Sequence, residues 1–194
     1  MFWRVLVDGW WGNVAREWRA MVDQQSAEKR AKFIGRFTNR IDSKSRTFIP
    51  AKLKPLIYAR WGHKPDLILA VMGFDRCLVL VEREQWFQKR ARLENLDWMD
   101  ADVARLRRLS SLSEECTLDS QERITIPQFL RKFAKLDGEV MFVGCEEYLE
   151  LWNPALAEQD FETLLSDAGK LIDRVRGRKD TVQAAETGND SEEE

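Results

Sequence analysis

The sequence predicts an α+β protein with a mainly β core, which is formed by two internal repeats and flanked by helices. Two stretches carry this prediction, RIDSKSRTFIP at residues 40–50 and TLDSQERITIP at residues 117–127. Each has Asp-Ser, an arginine four residues after the aspartate, and an Ile-Pro pair that begins three residues after the arginine. A second observation is that the same order of patterns follows both stretches, as it should in a duplicated chain.

The element that follows each Ile-Pro pair is predicted to be a short helix, because apolar residues recur at helical spacing. These apolar positions are Leu53, Leu56 and Ile57 in the first copy, and Phe129, Leu130, Phe133 and Leu136 in the second. Two β-rich runs come next, DLILAVMGFDRCLVLV and GEVMFVGCEEYLELW, and we expect each pair of strands to be joined at a glycine, Gly73 or Gly144. One copy is too small to bury its own apolar faces, so the two copies are expected to share one core.

Longer helices are predicted after each copy, over residues 82–96 and 101–112 and again from Pro154, with Asn153 as the N-cap residue. The predicted organisation is an N-terminal extension (1–32), a first repeat plus helix (33–99), a linking helix and second repeat (100–166), the end of a C-terminal helix (167–179) and an acidic disordered tail (180–194).

Charge is distributed unevenly along the chain, although the formal net charge is only -2. Residues 31–65 contain nine lysines and arginines against one acidic residue, Asp42, whereas residues 180–194 are acidic and contain no basic residue. Such a basic segment suits a nucleic-acid surface, but it is more often an ordinary solvated face.

Several classes of function are disfavoured by the sequence. No apolar run approaches the roughly 18 to 20 residues of a membrane span, and the start lacks a secretory signal pattern, so we expect a cytoplasmic protein. Three cysteines without a C-x-x-C pair predict reduced, partly buried thiols. The one histidine, His63, stands alone in a loop, and no nucleotide, nucleophile or metal motif is present. We therefore predict no catalytic site, no cofactor, no metal and no membrane partner.

The repeated Asp-x-x-x-Arg turn is the candidate site. Asp42 and Asp119 are predicted to stabilise the two turns, because an aspartate can accept hydrogen bonds from backbone N–H groups two or more residues later. Each Asp–Arg pair could serve only to stabilise a hairpin. Alternatively, a two-stranded turn of this width fits the DNA major groove, where arginine can pair bidentately with guanine O6 and N7.

The candidate DNA-binding residues are Lys44, Arg46, Arg123 and Arg40. Arg46 suits base recognition, and Lys44 beside it suits a phosphate contact. Glu122 precedes Arg123 and would be repelled by phosphate unless it points away or pairs with a cation. The first copy is therefore the stronger DNA-facing candidate.

Together these motifs resemble those of the MraZ family, transcriptional regulators associated with the bacterial division and cell-wall gene cluster, within the AbrB-like swapped-hairpin superfamily. The resemblance is carried by FIGRFTNRIDSKSRTFIPAKL, DRCLVLV, LDSQERITIPQFLRKFA, EVMFVG and LELWNP. The resemblance implies a double-psi-like β-barrel formed as a pseudo-dimer within one chain, and ring-shaped homo-oligomers. It also implies binding to short direct repeats of double-stranded DNA near the operon's own promoter, and therefore a nucleoid-associated protein. AbrB-like barrels also serve as antitoxins, so a protein-binding module is the rival hypothesis.

Two departures from the family pattern affect the expectations. Such proteins usually carry glycine just before each motif arginine, whereas this chain has Ser45 and Glu122. If that position requires a positive φ, each residue costs roughly 1 to 2 kcal/mol there. The second departure is the tryptophan-rich start, residues 1–32, which is either an interfacial or partner-binding helix or an over-long predicted start with translation from Met21 or later.

Overall fold

A computed structural model describes residues 31–71, 75–91, 96–97 and 99–188, and the side chains of the last helix as far as residue 177. The predicted extension therefore lies outside the described residues, apart from residues 31 and 32, and so do Gly73 and residues 189–194. The chain divides into two compact units, the first ending at Pro154 and the second beginning at Ala155.

The two motif-bearing segments contain the same elements in the same order, strand, strand, helix, strand, strand. The first segment comprises β1 (Arg36–Arg40), β2 (Arg46–Phe48), α1 (Lys54–Trp61), β3 (Leu67–Val71) and β4 (Leu78–Glu82). Helices α2 (Arg83–Arg90) and α3 (Ala101–Ser110) follow it. The second segment comprises β5 (Glu114–Cys116), β6 (Arg123–Thr125), α4 (Gln128–Phe133), β7 (Glu139–Cys145) and β8 (Tyr148–Trp152), and α5 (Pro154–Gly188) ends the described chain.

The helices between the segments begin where local sequence provides caps. The Glu82 carboxylate accepts hydrogen bonds from the backbone N–H groups of Glu84 and Gln85 at the start of α2. Asp100 caps α3 in the same way. Both contacts satisfy N–H groups that have no partner within a first helical turn.

The strands pair antiparallel in two sheets, and the pairing exchanges elements between the segments. The larger sheet has the order β1-β7-β8-β4-β3-β5, and the smaller is the pair β2-β6. Thus β1 of the first segment pairs with β7 of the second, and β5 of the second pairs with β3 of the first. The order reads the same when the two segments are interchanged, so the pairing has pseudo-twofold symmetry.

The barrel implied by the resemblance is not closed by hydrogen bonds in the described residues, because β1 and β5 are the free edges of the six-stranded sheet. Strand β2 leaves β1 after a single bridge between Ile41 and Thr47 and pairs with β6 instead. With only three residues each, β2 and β6 pair with one another and do not join the larger sheet.

Residues from both segments form one apolar cluster. Ile49 and Ile126, which precede the two prolines, are 2% and 0% exposed, and Leu53 and Leu130, three residues after those prolines, are both fully buried. Burial of each such side chain contributes roughly 1.5 to 3 kcal/mol. Because matching positions share the cluster, the folding of each segment depends on the other.

The exposure of Phe129 and the location of Gly144 differ from the sequence-based expectation. Phe129 is 44% exposed, because it adjoins Leu130 on a helix of six residues, where neighbouring positions face different directions. Gly144 lies within β7 rather than in the connection to β8. A Cβ atom there would lie 2.5 Å from the backbone nitrogen of Ile34, so glycine is needed for the close approach of the two backbones.

The C-terminal helix begins at Pro154, as predicted, but extends further than composition indicated. Helix α5 continues to Gly188 and so includes the first part of the segment 180–194, for which disorder was predicted. Once a helix is nucleated, each added residue gains a hydrogen bond at small cost, so a polar sequence can continue it. Among the described residues, none of the helices is long and apolar enough to cross a membrane.

None of the three cysteines forms a disulfide bond. Cys77 and Cys116 are buried and Cys145 is half-buried, in agreement with the prediction from their spacing. Burial raises the pKa of the Cys116 thiol to about 12, with the nearby Glu114 carboxylate adding to the effect. The Cys116 thiol is therefore a poor nucleophile at neutral pH.

Candidate nucleic-acid interface

The first Asp-x-x-x-Arg turn is organised by the side chain of Asp42. Its Oδ1 accepts hydrogen bonds from the backbone N–H groups of Lys44 and Arg46, both at 2.9 Å. Its Oδ2 accepts from Nε of Arg46 at 2.8 Å and lies 2.6 Å from Nη2 of the same guanidinium. One carboxylate thus fixes both the backbone of the turn and the direction of the arginine.

The second turn repeats this geometry around Asp119. Its Oδ1 accepts from the backbone N–H groups of Gln121 and Arg123 at 2.9 and 3.0 Å. Its Oδ2 lies 2.8 Å from Nε and 2.7 Å from Nη2 of Arg123. Hydrogen bonds from the arginine, and then from the turn's backbone, lower the pKa of both carboxyls, that of Asp42 to about 2. Both aspartates are therefore ionised at neutral pH.

The residue before each motif arginine has a left-handed backbone, with φ of 63° at Ser45 and 61° at Glu122. This conformation costs a non-glycine residue roughly 1 to 2 kcal/mol. It is held by contacts between the segments, because the carbonyl of Ser45 accepts the N–H of Ile126 at 2.8 Å and that of Glu122 accepts the N–H of Ile49 at 3.1 Å.

The side chains of these two residues contact the helix of the other segment. The hydroxyl oxygen of Ser45 accepts a hydrogen bond of 2.9 Å from Nη1 of Arg131 on α4. The carboxylate of Glu122 contacts Nζ of Lys54 and the hydroxyl of Tyr58, both on α1. Arg131 and Lys54 are equivalent, since each lies four residues after the proline of its segment. Glu122 therefore pairs with a cation, which is one of the two arrangements that would limit its repulsion of phosphate.

The β2–β6 pair brings the two turns together. Arg46 lies opposite Thr125, and Phe48 lies opposite Arg123. The guanidinium carbon of Arg123 is 5.6 Å from the centre of the Phe48 ring, within the range of a cation–π contact. The Arg46 side chain is 29% exposed and that of Arg123 only 16%, so the first turn offers the more accessible guanidinium.

The other two candidate residues occupy different positions. Lys44 is exposed in the first turn, two residues before Arg46. Arg40 is exposed at the end of β1, where it lies opposite Glu139 in the six-stranded sheet. Lys44, Arg46 and Arg123 are therefore associated with the turns and the smaller sheet, whereas Arg40 lies on an edge strand of the larger sheet.

Sequence reasoning missed the contribution of α4 to the first turn. Arg131 and Lys132 of α4 and Lys135 just after it line a groove with Ser43 and Ser45 of that turn. The repeat contains a signal for this contact, because Arg131 and Lys54 hold matching positions. Nothing in local sequence indicates, however, that each helix contacts the turn of the other segment.

Comparison with known proteins provides the family. A sequence model described as "MraZ protein, putative antitoxin-like" matches residues 111–171. A "Transcriptional regulator MraZ" of Desulforamulus reducens is 32% identical over 148 residues, which cover 72% of this chain and 99% of that protein. The chain belongs to the MraZ family.

Two further MraZ proteins show the same extent of similarity. The "Transcriptional regulator MraZ" of Thermomicrobium roseum is 31% identical over 74% of this chain and 96% of its own length. That of Lactiplantibacillus plantarum is 33% identical over 68% of this chain and 88% of its own. MraZ membership implies an AbrB-like fold, and both Asp-x-x-x-Arg turns described above are present in this member.

Proposed function

We propose that this protein is a sequence-specific DNA-binding transcriptional regulator, without enzymatic activity, that acts in the cytoplasm on nucleoid DNA. The observation that carries the proposal is the first turn, in which Asp42 orients a partly exposed Arg46 two residues after the exposed Lys44. The naming of the MraZ relatives as transcriptional regulators supports the same class of function.

In the proposed complex, Arg46 and Lys44 contact different parts of the DNA. Nε and Nη2 of Arg46 contact Asp42, whereas Nη1 is not among the atoms in that contact. The end of the guanidinium therefore faces a base edge in the proposed complex and donates to guanine O6 and N7. Lys44 contacts phosphate, which contributes affinity that does not depend on sequence.

The second turn has a smaller role in this proposal. Arg123 is held between Asp119 and the Phe48 ring and is less exposed than Arg46. Glu122 is paired with Lys54, so its carboxylate is partly neutralised and is directed to α1. Arg123 thus supports the pair of turns and contacts DNA only at the margin. Arg40, on β1, is proposed as an additional phosphate contact.

The proposed target is a set of short direct repeats in the promoter of the division and cell-wall gene cluster, which contains the protein's own gene. One chain offers few phosphate contacts, so we propose that a ring of subunits engages successive repeats. Linked binding of this kind can raise affinity by about 10² to 10⁴. Head-to-tail contacts that close on themselves produce such rings.

An apolar stripe on α5 supports self-association. Leu165 is 79% exposed, Ile172 is 51% exposed and Val175 is 49% exposed, and these residues lie seven and three positions apart. This spacing places them on one side of the helix, and a stripe of this kind gains stability when another surface covers it. A homo-oligomer provides that surface.

Gel-shift measurements with DNA from upstream of the protein's own gene test the proposal. We expect binding at two salt concentrations, with weaker binding at the higher one. Arg46→Ala should remove most of the preference for this DNA over a scrambled duplex, whereas Lys44→Ala should weaken binding to both and reduce the salt slope by about one. Unchanged preference in the Arg46 variant would contradict the assigned role.

A second candidate function is a protein-binding module of the antitoxin type, favoured by the words "antitoxin-like" in the family description. The two candidates make different predictions about gene neighbourhood. Division and cell-wall genes downstream favour the regulator, and an adjacent small toxin gene favours the protein-binding module. Absence of DNA binding, together with a stable complex with the product of that toxin gene, would decide for the second candidate.

A further inference from the structure

The groove beside the first turn is basic and is formed by both segments. It has a volume of about 640 Å³ and is lined by Ser43 and Ser45 from the turn and by Arg131, Lys132 and Lys135 from the α4 region. Its lining contains one acidic residue, Asp137. Three cations against one carboxylate make this groove attractive to an anion.

The three cations differ in how they are held. Arg131 is oriented, because its Nη1 donates to the Ser45 hydroxyl at 2.9 Å. Lys132 and Lys135 are exposed, and within the part of the chain that the structure describes neither of them forms an ion pair. The groove thus combines one fixed guanidinium with two ammonium groups that can adjust to a ligand.

The backbone around Lys135 is also unusual. Lys135 has a φ of 51°, in the left-handed region. Its carbonyl accepts a hydrogen bond of 2.7 Å from Nδ2 of Asn153, and the next residue, Leu136, donates its N–H to the carbonyl of Arg131 at 2.9 Å. Glycine or asparagine is the usual choice at such a helix end. Lysine at this position has a conformational cost that glycine would not have, but it adds a positive charge to the groove.

At the second turn the equivalent positions hold their charges differently. Lys54, the counterpart of Arg131, is paired with the Glu122 carboxylate. The counterparts of Lys132 and Lys135 are Pro55 and Tyr58, since they lie five and eight residues after their respective Ile-Pro prolines. The two turns therefore share a backbone, but at the second turn the helix cation is paired with a carboxylate and the two groove lysines have no lysine counterparts. Ser45 contributes to this difference, because its hydroxyl accepts the hydrogen bond from Arg131 without neutralising the charge of the arginine.

We infer that the groove formed by Ser45, Arg131, Lys132 and Lys135 binds a phosphodiester of the DNA backbone next to the base pairs reached by the first turn. This inference rests on the proposed DNA-binding function, and it adds a second element, α4, to the contact surface. Phosphate contacts fix the position of a protein on the duplex without reading its sequence. Binding of a phosphate in the groove therefore determines which base pair lies next to Arg46.

The test compares two double variants that lose equal charge. Lys132→Gln with Lys135→Gln removes the two exposed lysines of the groove, and Lys64→Gln with Lys170→Gln removes two exposed lysines outside it. All four lysines are exposed, so both proteins should fold, and circular dichroism confirms this before binding is measured. The probes are a duplex from upstream of the protein's own gene and a scrambled duplex of equal length, each titrated at several salt concentrations.

The groove variant should bind both duplexes more weakly by the same factor, and its salt slope should be smaller by about two. The control variant should keep a slope close to that of the wild type. If the wild type binds the upstream duplex and the groove variant matches the control in affinity and slope, the inference is overturned while the proposed function stands. If the wild type binds neither duplex, both are overturned.

Discussion

Nη1 of Arg131 donates a hydrogen bond of 2.9 Å to the hydroxyl of Ser45, a residue that itself has a left-handed backbone with φ of 63°. The contact joins the helix of the second segment to the turn of the first. It has a counterpart in the contact between Lys54 and Glu122, where the backbone φ is 61°. The residue before each motif arginine thus combines local strain with a contact between segments.

The first prediction isolates the strain at Ser45. Ser45→Gly and Ser45→Ala both remove the hydroxyl that contacts Arg131, but only glycine adopts a positive φ without steric cost. We expect the glycine variant to exceed the alanine variant in free energy of unfolding by about 1 kcal/mol. Urea denaturation of the two proteins measures the difference. Equal stabilities would mean that the turn relaxes to another conformation when the hydroxyl is lost.

The second prediction concerns acid. Asp42 has a pKa of about 2 in the folded protein against an ordinary value of 3.8, chiefly because Arg46 donates hydrogen bonds to it, and the pKa of Asp119 is lowered for the same reason. Below pH 4 the unfolded chain therefore binds more protons than the folded one. The stabilisation from these pairs should be complete above about pH 4 and be lost as the pH falls towards 2.

Urea denaturation of the wild type at pH 5 and at pH 3 measures this loss. Asp42→Asn should lower stability at pH 5 and reduce the difference between the two pH values, because the variant has no carboxyl to protonate at that position. Asp137→Asn is the control for removal of a carboxylate outside the turns. A wild-type protein and an Asp42→Asn variant with the same dependence on pH would contradict the assignment.

The third prediction uses a pair of glycines. Gly144→Ala should destabilise the fold by roughly 1 to 3 kcal/mol or more, as overpacking does, because the new Cβ would lie 2.5 Å from the Ile34 nitrogen and backbone would have to move. Gly169 lies in α5, and a Cβ there would meet nothing within 4 Å. Gly169→Ala should therefore raise stability by up to about 1 kcal/mol. Thermal unfolding of both variants checks the opposite signs.

The order of elements could be predicted from the sequence, because local patterns specify it. Helical spacing after each Ile-Pro pair, β-rich runs and the cap at Pro154 are all read within a short window. Asp42 and Asp119 could be assigned to their turns for the same reason, since their hydrogen-bond partners lie within four residues.

The pairing between segments could not be predicted in the same way. Each strand alone is compatible with several partners, and the exchange that pairs β1 with β7 is decided by packing of the shared core. The contact of Arg131 with Ser45 spans 86 positions and follows from that exchange. The exposure of Phe129 and the place of Gly144 inside β7 likewise depend on which neighbouring elements pack there.

The last prediction transfers the residue of the second turn to the first. Ser45→Glu introduces a carboxylate at a position that already has the backbone conformation of Glu122, so no new conformational strain is expected. The carboxylate should pair with Arg131 in the way that Glu122 pairs with Lys54, and it should repel phosphate. We expect weaker binding to the upstream and the scrambled duplex alike and a smaller salt slope, with stability kept or slightly raised. Ser45→Gln, which has similar size but no charge, is the matched control. If the glutamate and glutamine variants bind the two duplexes equally, charge at this position does not govern binding, and the contribution of the first turn would have to come from Lys44 and Arg46 alone.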